Sequence, residues 1–156
     1  MGWYAALSKR AVRVNPRVAV PLGRLHSWVH RASGGRVGNT FITQGAPVLF
    51  LTTVGRRSGK TRETPLIYAR DGERLVVAAS NAGAAPMPAW FLNLSAAGEA
   101  TVRVGRRSLR VRPRVAEDAE RERLWGRLMA AYDGYAEYED WATREIPVVV
   151  LEPLEP

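Results

Sequence analysis

The chain of 156 residues contains no cysteine and no apolar run that approaches the roughly 20 residues of a membrane-spanning helix. Disulfides, thiolate metal sites and cysteine nucleophiles are therefore excluded. The N-terminus also lacks the apolar core of a signal peptide, because the run Val18–Leu22 is short and contains Pro21. We expect a cytoplasmic protein, with association at the inner face of the membrane as an alternative.

Acidic residues are missing from the first 62 positions. Residues 1–62 hold eleven Lys and Arg, and the first acid is Glu63; residues 63–156 carry twelve basic and fifteen acidic side chains. Because folded surfaces usually mix charges of both signs, this distribution predicts an anionic partner: nucleic acid, anionic lipid or a polyanionic small molecule. An arginine-rich composition is the alternative explanation, since 21 of the 23 basic residues are arginine.

Residues 1–36 have the pattern of a basic, amphipathic helical segment, which we separate from a domain spanning residues 37–156. Aromatic and apolar residues recur there at helical spacing beside arginines, which suits peripheral membrane contact, the lip of a ligand groove or packing on the domain. His26 and His30 stand four residues apart, but no third ligand lies nearby, so we predict no metal site.

The rest of the chain alternates strand-like runs with a few helices. The predicted strands are Pro47–Val54, Thr64–Arg70, Arg74–Ser80, Ala100–Gly105, Ser108–Ala116 and Pro147–Leu151. The predicted helices are Met87–Ala97, Glu117–Tyr132 and Tyr135–Thr143, the first of them ended by Gly98. In the second helix we expect an ion pair between Glu117 and Arg121, and one stripe formed by Leu124, Trp125, Leu128, Met129 and Tyr132. Six strands with one inserted helix and a late helical pair predict a small closed or partly open barrel.

The turn between the first two strands is basic and rich in glycine. Gly55–Arg62 contains four cationic side chains and no acid, and its glycines allow backbone N–H groups to approach an anion. It resembles a triphosphate-binding loop but has only three residues between Gly55 and Gly59, and Pro65 and a strand follow where such a loop needs a helix. We therefore predict an anion-binding turn that is not a nucleotide triphosphatase loop.

The order of motifs resembles the deazaflavin-dependent nitroreductase family, whose members use coenzyme F-420. The likeness covers roughly residues 22–153 and rests on TTVGRRSGKTRETPLIYARDG (Thr52–Gly72), VVAASNAGAAPMPAWFLNL (Val76–Leu94), AAYDGYAEYEDWATREIPVVVLEP (Ala130–Pro153) and, more weakly, WVHRASGGRVGNTF (Trp28–Phe41). The resemblance implies a mainly β (α+β) fold: a six-stranded split β-barrel of the flavin-reductase/pyridoxamine-oxidase type, with flanking helices and an N-terminal helix. It also implies hydride transfer from the reduced cofactor to a quinone, an activated alkene or a nitroaromatic.

The resemblance also implies roles for particular residues. The cofactor, an 8-hydroxy-5-deazaflavin whose ribityl arm ends in a phosphodiester, lactate and an oligoglutamate tail, is expected to bind Arg56, Arg57, Ser58, Lys60, Arg62, Ala78, Ala79, Ser80, Asn81, Ala89, Trp90 and Asn93. The expected catalytic residues are Tyr135 and Tyr138, with Ser80 as second choice. The substrate side is expected to comprise Tyr132, Tyr135, Tyr138 and Ile67. Family members often have lysine in place of Asn81, and some have tyrosine in place of Ile67.

Three alternatives to this function are open, of which the simplest is a cofactor carrier with no reaction of its own. An FMN-binding reductase of the same barrel class would keep the phosphate site but leave the long basic surface unused. A nucleic-acid-binding barrel is favoured by the basic pI of about 10.7 and the five tryptophans. The strands lack a clear row of exposed aromatics and the late helices are acidic, so we expect no nucleic acid, and expect a monomer or weak dimer that binds a small-molecule acceptor.

Overall fold

Six antiparallel strands close into a barrel in the computed structural model, which describes residues 45–155. The strands are β1 (Val48–Val54), β2 (Thr61–Asp71), β3 (Arg74–Ala78), β4 (Ala100–Val104), β5 (Arg107–Val115) and β6 (Val148–Pro153). Around the barrel they follow the order β1-β2-β3-β6-β5-β4, and β1 pairs with β4 to close it. The predicted segment 1–36, its boundary with the domain, and His26 and His30 lie outside the described residues.

The predicted barrel is confirmed as a closed one, and the strand ends differ by a few residues from the sequence pattern. The largest difference is at β2, which begins at Thr61 because Thr61 pairs with Val54 across the turn. Arg62 therefore belongs to a strand rather than to the turn. At the other end of the chain, β6 continues to Pro153, where it pairs with Val111 of β5.

Alternate side chains of each strand enter the barrel interior, as the two-residue period of a strand requires. In β3, Leu75 and Val77 belong to the interior cluster, whereas Val76 and Ala78 belong to an outer one. Helix α1 (Ala89–Ala97) adds Trp90 and Leu94 to the interior cluster. It ends at Gly98, whose φ of +74° is the left-handed cap that the sequence predicted.

Helices α2 (Asp118–Ala131) and α3 (Gly134–Trp141) supply the second layer, over the outer faces of β2, β3 and β6. Leu124, Trp125 and Leu128 of α2 are buried there. The prediction that Met129 joins this stripe is wrong: its side chain is 37% exposed. The neighbouring Trp125 is covered because α3 folds back over it, with the Tyr135 ring 5.6 Å away.

The predicted ion pair between Glu117 and Arg121 is also wrong. The Nε atom of Arg121 lies 3.0 Å from Oε1 of Glu145, and its Nη2 donates to the carbonyl of Ile146 at 3.3 Å. Arg121 therefore contacts the connection between α3 and β6. The periodicity of α2 could not predict this contact, because its partners lie outside the helix. None of the helices described between residues 45 and 155 is long and apolar enough to cross a membrane.

A buried carboxylate fastens α2 to the end of the β2–β3 hairpin. Asp71 is 8% exposed and accepts hydrogen bonds from Arg123 at 2.7 and 3.1 Å and from Arg74. Arg74 also lies 3.6 Å from Glu120, which pairs with Arg114 of β5 at 2.5 Å. The Arg123 guanidinium, with a smaller contribution from Arg74, lowers the pKa of Asp71 from 3.8 to about 2 against the opposing effect of burial.

We expect Asp71→Asn to lower the free energy of unfolding by about 1–3 kcal/mol near neutral pH, because charged hydrogen bonds are lost. The stability that ionised Asp71 gives the wild type should be present above pH 3.8, the ordinary pKa of this group. It should be lost as the pH falls toward about 2, its pKa in the folded protein. Urea denaturation of both proteins across that range measures the difference. Glu99→Gln is the matched control: it breaks the exposed Glu99–Arg110 pair and should cost less than about 1 kcal/mol.

Candidate functional site

The turn between β1 and β2 is closed by its own backbone. The Gly55 N–H donates to the carbonyl of Lys60 at 2.9 Å, and the Gly59 N–H donates to the carbonyl of Gly55 at 2.8 Å. Gly59 has a φ of +65°, which favours glycine, and a Cβ at Gly55 would lie 2.5 Å from Oγ of Ser58. The turn is thus a fixed platform, and the side chains from Arg56 to Lys60 are exposed on it.

Asn93 of α1 anchors this platform to the barrel. Its Oδ1 accepts hydrogen bonds from the Arg56 N–H at 3.1 Å and from the Arg56 guanidinium at 3.3 Å, and Asn93 itself is 5% exposed. Within residues 45–155 no carboxylate forms an ion pair with Arg57, Lys60 or Arg62. Arg57 and Lys60 are thereby presented to solvent from a turn whose position is fixed, with Arg62 exposed beside them at the start of β2, while Arg56 is partly engaged in holding the turn.

The expected ring-binding residues lie at the end of β3 and the start of α1. Ala78 and Ala79 point to opposite faces: Ala78 joins the outer cluster, and Ala79 is fully buried in the interior. Ala79 has no exposed surface, and its N–H donates to the carbonyl of Pro147 at 2.9 Å. Trp90 is 8% exposed and belongs to the interior cluster, where Phe91 packs edge-on at 5.9 Å, whereas Ala89 is exposed.

The strand end continues into a short left-handed segment. Ser80 is buried, and Asn81, Ala82 and Gly83 follow with φ values of +48°, +52° and +78°. The side-chain amide of Asn81 donates to the carbonyl of Pro86 at 2.9 Å, so it holds its own loop. This contact gives Asn81 a local structural role at the position where family members often carry lysine.

The three predicted tyrosines form one cluster. Tyr132 lies 5.4 Å from Tyr135 and 6.0 Å from Tyr138 between ring centroids, and Tyr135 lies 5.9 Å from Tyr138. The Tyr132 and Tyr138 hydroxyls are 3.2 Å apart, and the Tyr135 hydroxyl donates to the carbonyl of Ile67 at 3.5 Å. The side chain of Ile67 packs against the same cluster. The structure thus brings all four expected substrate-side residues together.

Burial raises the pKa of two hydroxyls in this cluster, those of Tyr135 and Tyr138. Tyr135 is 4% exposed, and burial raises its pKa well above the ordinary value of 10. Tyr138 is half-buried, and its pKa is raised above 10 by burial first and by its hydrogen bond with Tyr132 second. Both hydroxyls are therefore protonated at neutral pH and able to donate a hydrogen bond.

Gly134, which the sequence pattern does not single out, makes room for this cluster. A Cβ at this position would lie 2.4–2.5 Å from the outer ring atoms and hydroxyl of Tyr132. Trp141 was not predicted either, although it continues the three-residue spacing from Tyr138 and lies 6.2 Å from it. Arg144, which binds the loop after β3, carries no pattern that could have identified it.

We expect Gly134→Ala to displace the Tyr132 ring and break its hydroxyl contact with Tyr138. Overpacking of this kind lowers the free energy of unfolding by about 1–3 kcal/mol. Urea denaturation measures that loss. Gly126→Ala is the control: Gly126 lies inside α2 with open space at its Cβ, so the alanine should be neutral or stabilising. Equal effects of the two changes would contradict the packing role of Gly134.

Comparison with known proteins identifies the family. Residues 21–153 match the model of the F420H(2)-dependent quinone reductase family. A curated F420H(2)-dependent quinone reductase of Mycobacterium tuberculosis is 36% identical over 137 residues, covering 86% of this chain and 91% of that protein. The chain belongs to this family. Membership confirms the resemblance to deazaflavin-dependent reductases, the expected enzyme class and coenzyme F-420 as the cofactor.

Solved structures support the same assignment for this quinone reductase family member. An F420-H2 dependent reductase, FDR-A, is 34% identical with a TM-score of 0.63, covering 68% of this chain and 94% of that one. A chain described as a domain-swapped dimer is 29% identical with a TM-score of 0.64, covering 85% and 99%. A heme binding protein from Mycobacterium smegmatis, 18% identical with a TM-score of 0.53 and coverage of 76% and 50%, shares the fold.

Proposed function

We propose that this reductase transfers hydride from reduced coenzyme F-420 to a quinone, with the cofactor lying along β2. The observation that carries the proposal is the arrangement of one strand: β2 begins at the cationic turn, and Ile67, further along it, contacts the tyrosine cluster. Arg62 and Ile67 are five residues apart, about 17 Å in an extended strand, and this odd spacing puts their side chains on opposite faces of β2. The cationic turn and the tyrosine cluster therefore lie at different points along the strand, and this separation is what a ligand with an anionic end and a flat ring end would span.

The turn and the start of β2 have the chemistry that the anionic end of the cofactor requires. Arg57, Lys60 and Arg62 offer cationic donors without acidic partners among residues 45–155, and Ser58 offers a hydroxyl. Arginine forks and ammonium groups bind phosphate oxygens strongly. In this proposal they hold the phosphodiester and the start of the glutamate tail.

The deazaflavin ring is assigned to the end of β3. Ala78 and Ser80 have small side chains there, and Ala89 is the exposed residue at the start of α1. Asn93 takes a different role from a direct cofactor contact in this proposal: it keeps Arg56 and the turn in place. When bound, reduced coenzyme F-420 supplies hydride from its C5 atom.

Tyr138 is the proposed donor to the acceptor oxygen. Its side chain is half-buried and its pKa is raised, so a protonated hydroxyl can donate a hydrogen bond as negative charge develops on a quinone oxygen. The Tyr132 hydroxyl, 3.2 Å away, can orient it. Tyr135 is more deeply buried and its hydroxyl already meets the Ile67 carbonyl, so it supports the cluster; Ser80 is the second choice as donor.

The acceptor class is tested by comparing three acceptors with the same reduced cofactor. A soluble naphthoquinone, a nitroaromatic and an α,β-unsaturated ketone are each mixed with the protein and reduced coenzyme F-420, and kcat/KM is measured from cofactor oxidation. The proposal predicts the largest value for the quinone. A larger value for either other acceptor would reassign the substrate class while leaving the cofactor site in place.

A further inference from the structure

One arginine binds the backbone of the loop that follows β3 at several points. The Arg144 guanidinium donates to the carbonyls of Ala79 at 3.1 Å, Ala85 at 3.0 Å, and Ser80 and Pro86 at 3.4 Å each. It also donates to the carbonyl of Glu145 at 3.1 Å. Arg144 thus ties the end of the strand and the far side of the loop to the connection between α3 and β6.

The loop that Arg144 holds has a costly backbone conformation. Ser80 has right-handed helical angles, φ −76° and ψ −32°, and is followed by positive φ at Asn81, Ala82 and Gly83. Glycine adopts such angles freely and asparagine tolerates them, but alanine pays about 1–2 kcal/mol. The conformation of Ala82 therefore needs support from its surroundings. Arg144 supplies this support on one side of the loop. On the other side Gly83 packs against α3 so closely that a Cβ added to Gly83 would lie 3.3 Å from the carbonyl oxygen of Tyr138.

This conformation directs two backbone donors away from Arg144. In a trans peptide the N–H points opposite to the carbonyl, so the N–H groups of Ser80 and Asn81 face away from the guanidinium that binds the carbonyls of Ala79 and Ser80. Within residues 45–155, neither N–H forms a loop hydrogen bond. A right-handed residue followed by a left-handed one makes successive N–H groups converge into a concave site for an electron-rich group.

We infer that Arg144 is a positioning residue for the cofactor: it holds the Ser80–Gly83 loop so that the Ser80 and Asn81 N–H groups donate to the heteroatom edge of the deazaflavin ring. The inference rests on the ring placement of the proposed function. It assigns Arg144 no contact with the cofactor or the acceptor. It also separates two parts of the binding site, because the basic turn binds the anionic tail whereas this loop binds the ring.

The test measures the dissociation constants of wild type and Arg144→Gln for two ligands, oxidised coenzyme F-420 and the deazaflavin riboside that lacks phosphate and tail. We expect Arg144→Gln to weaken both by a similar factor, about tenfold for a loss of 1.4 kcal/mol. Backbone amides of residues 80–86 should also exchange with deuterium faster in the unliganded variant. Arg121→Gln is the matched control, since it loses the nearby Glu145 and Ile146 contacts without touching the loop; it should leave both constants unchanged.

Substitutions at Ala82 keep the inference testable whatever the stability of Arg144→Gln. Ala82→Val, with Arg144 intact, should weaken binding of both ligands, because a β-branched residue resists positive φ. Ala82→Gly in the Arg144→Gln protein should recover part of the lost affinity. Wild-type affinity in Arg144→Gln and Ala82→Val would overturn the inference, as would equal loss in Arg121→Gln. Failure of the wild type to bind the tail-less riboside would instead overturn the ring placement on which it rests.

Discussion

Replacing Arg57 and Lys60 together with glutamine is expected to weaken binding of oxidised coenzyme F-420 by about 10–100-fold, as two charge-assisted contacts are lost. Both side chains are exposed on a turn that the Gly55 and Gly59 hydrogen bonds keep closed, so the fold should be unaffected. The effect should shrink as ionic strength rises, because salt screens exposed charges. Titration of the cofactor by its own absorbance or fluorescence, at low and high salt, measures both quantities.

The barrel provides a control with the same loss of charge. Arg106 and Arg107 are exposed at the β4–β5 turn. Because β1 and β4 are antiparallel, with Phe50 opposite Arg103, this turn lies toward the start of β1 rather than beside Gly55. Arg106→Gln with Arg107→Gln should leave affinity within about twofold, a change of less than 0.5 kcal/mol. An equal loss in the two double variants would show that net charge, rather than the β1–β2 turn, attracts the cofactor.

Tyr138→Phe is expected to lower kcat for quinone reduction by about 100-fold, the usual effect of removing one preorganised donor to a developing oxyanion. Affinity for the oxidised cofactor should change little, since the phenyl ring keeps its packing against Tyr132 and Trp141. Because the pKa of Tyr138 is raised above 10, ionisation of Tyr138 should not lower the wild-type kcat at any pH up to 10. Steady-state oxidation of reduced coenzyme F-420 across that range measures both effects.

Two further Tyr→Phe changes show whether the effect is specific. Tyr68 is 8% exposed within the interior cluster, so Tyr68→Phe should leave kcat nearly unchanged. Tyr135→Phe removes a weak contact with the Ile67 carbonyl, so we expect a smaller decrease than for Tyr138→Phe. Wild-type turnover in both Tyr138→Phe and Tyr135→Phe would contradict the assignment of the tyrosine cluster to the acceptor and leave Ser80 as the remaining candidate.

Most of the fold could be predicted from sequence because its signals are local. The strand-like runs and the glycine after α1 each act over a few residues, and both were found close to where the pattern places them. The errors arose where distant contacts decide the outcome. Arg121 binds Glu145 rather than Glu117, and Met129 is exposed because the neighbouring helix covers Trp125 instead.

In the candidate site, too, local features could be predicted from the sequence and distant contacts could not. The basic turn and the tyrosine spacing are visible in the sequence, and the structure brings Ile67 to the tyrosines. The roles of Asn93 and Arg144 are not visible, because each side chain binds backbone atoms tens of positions away along the chain. The role of Gly134 is not visible in the sequence either. Gly134 leaves room for the Tyr132 ring, and the direction of that ring depends on the packed tertiary structure.

A crystal structure of the protein with coenzyme F-420 would show which end of the cofactor lies at which part of the barrel. We expect phosphate oxygens within about 3 Å of donors on the Gly55–Lys60 turn or Arg62. We expect the deazaflavin ring against the Ser80–Asn81 backbone, with one face open toward Tyr138. A cofactor bound in the opposite direction, or with its phosphate at Arg106 and Arg107, would overturn the proposed binding mode.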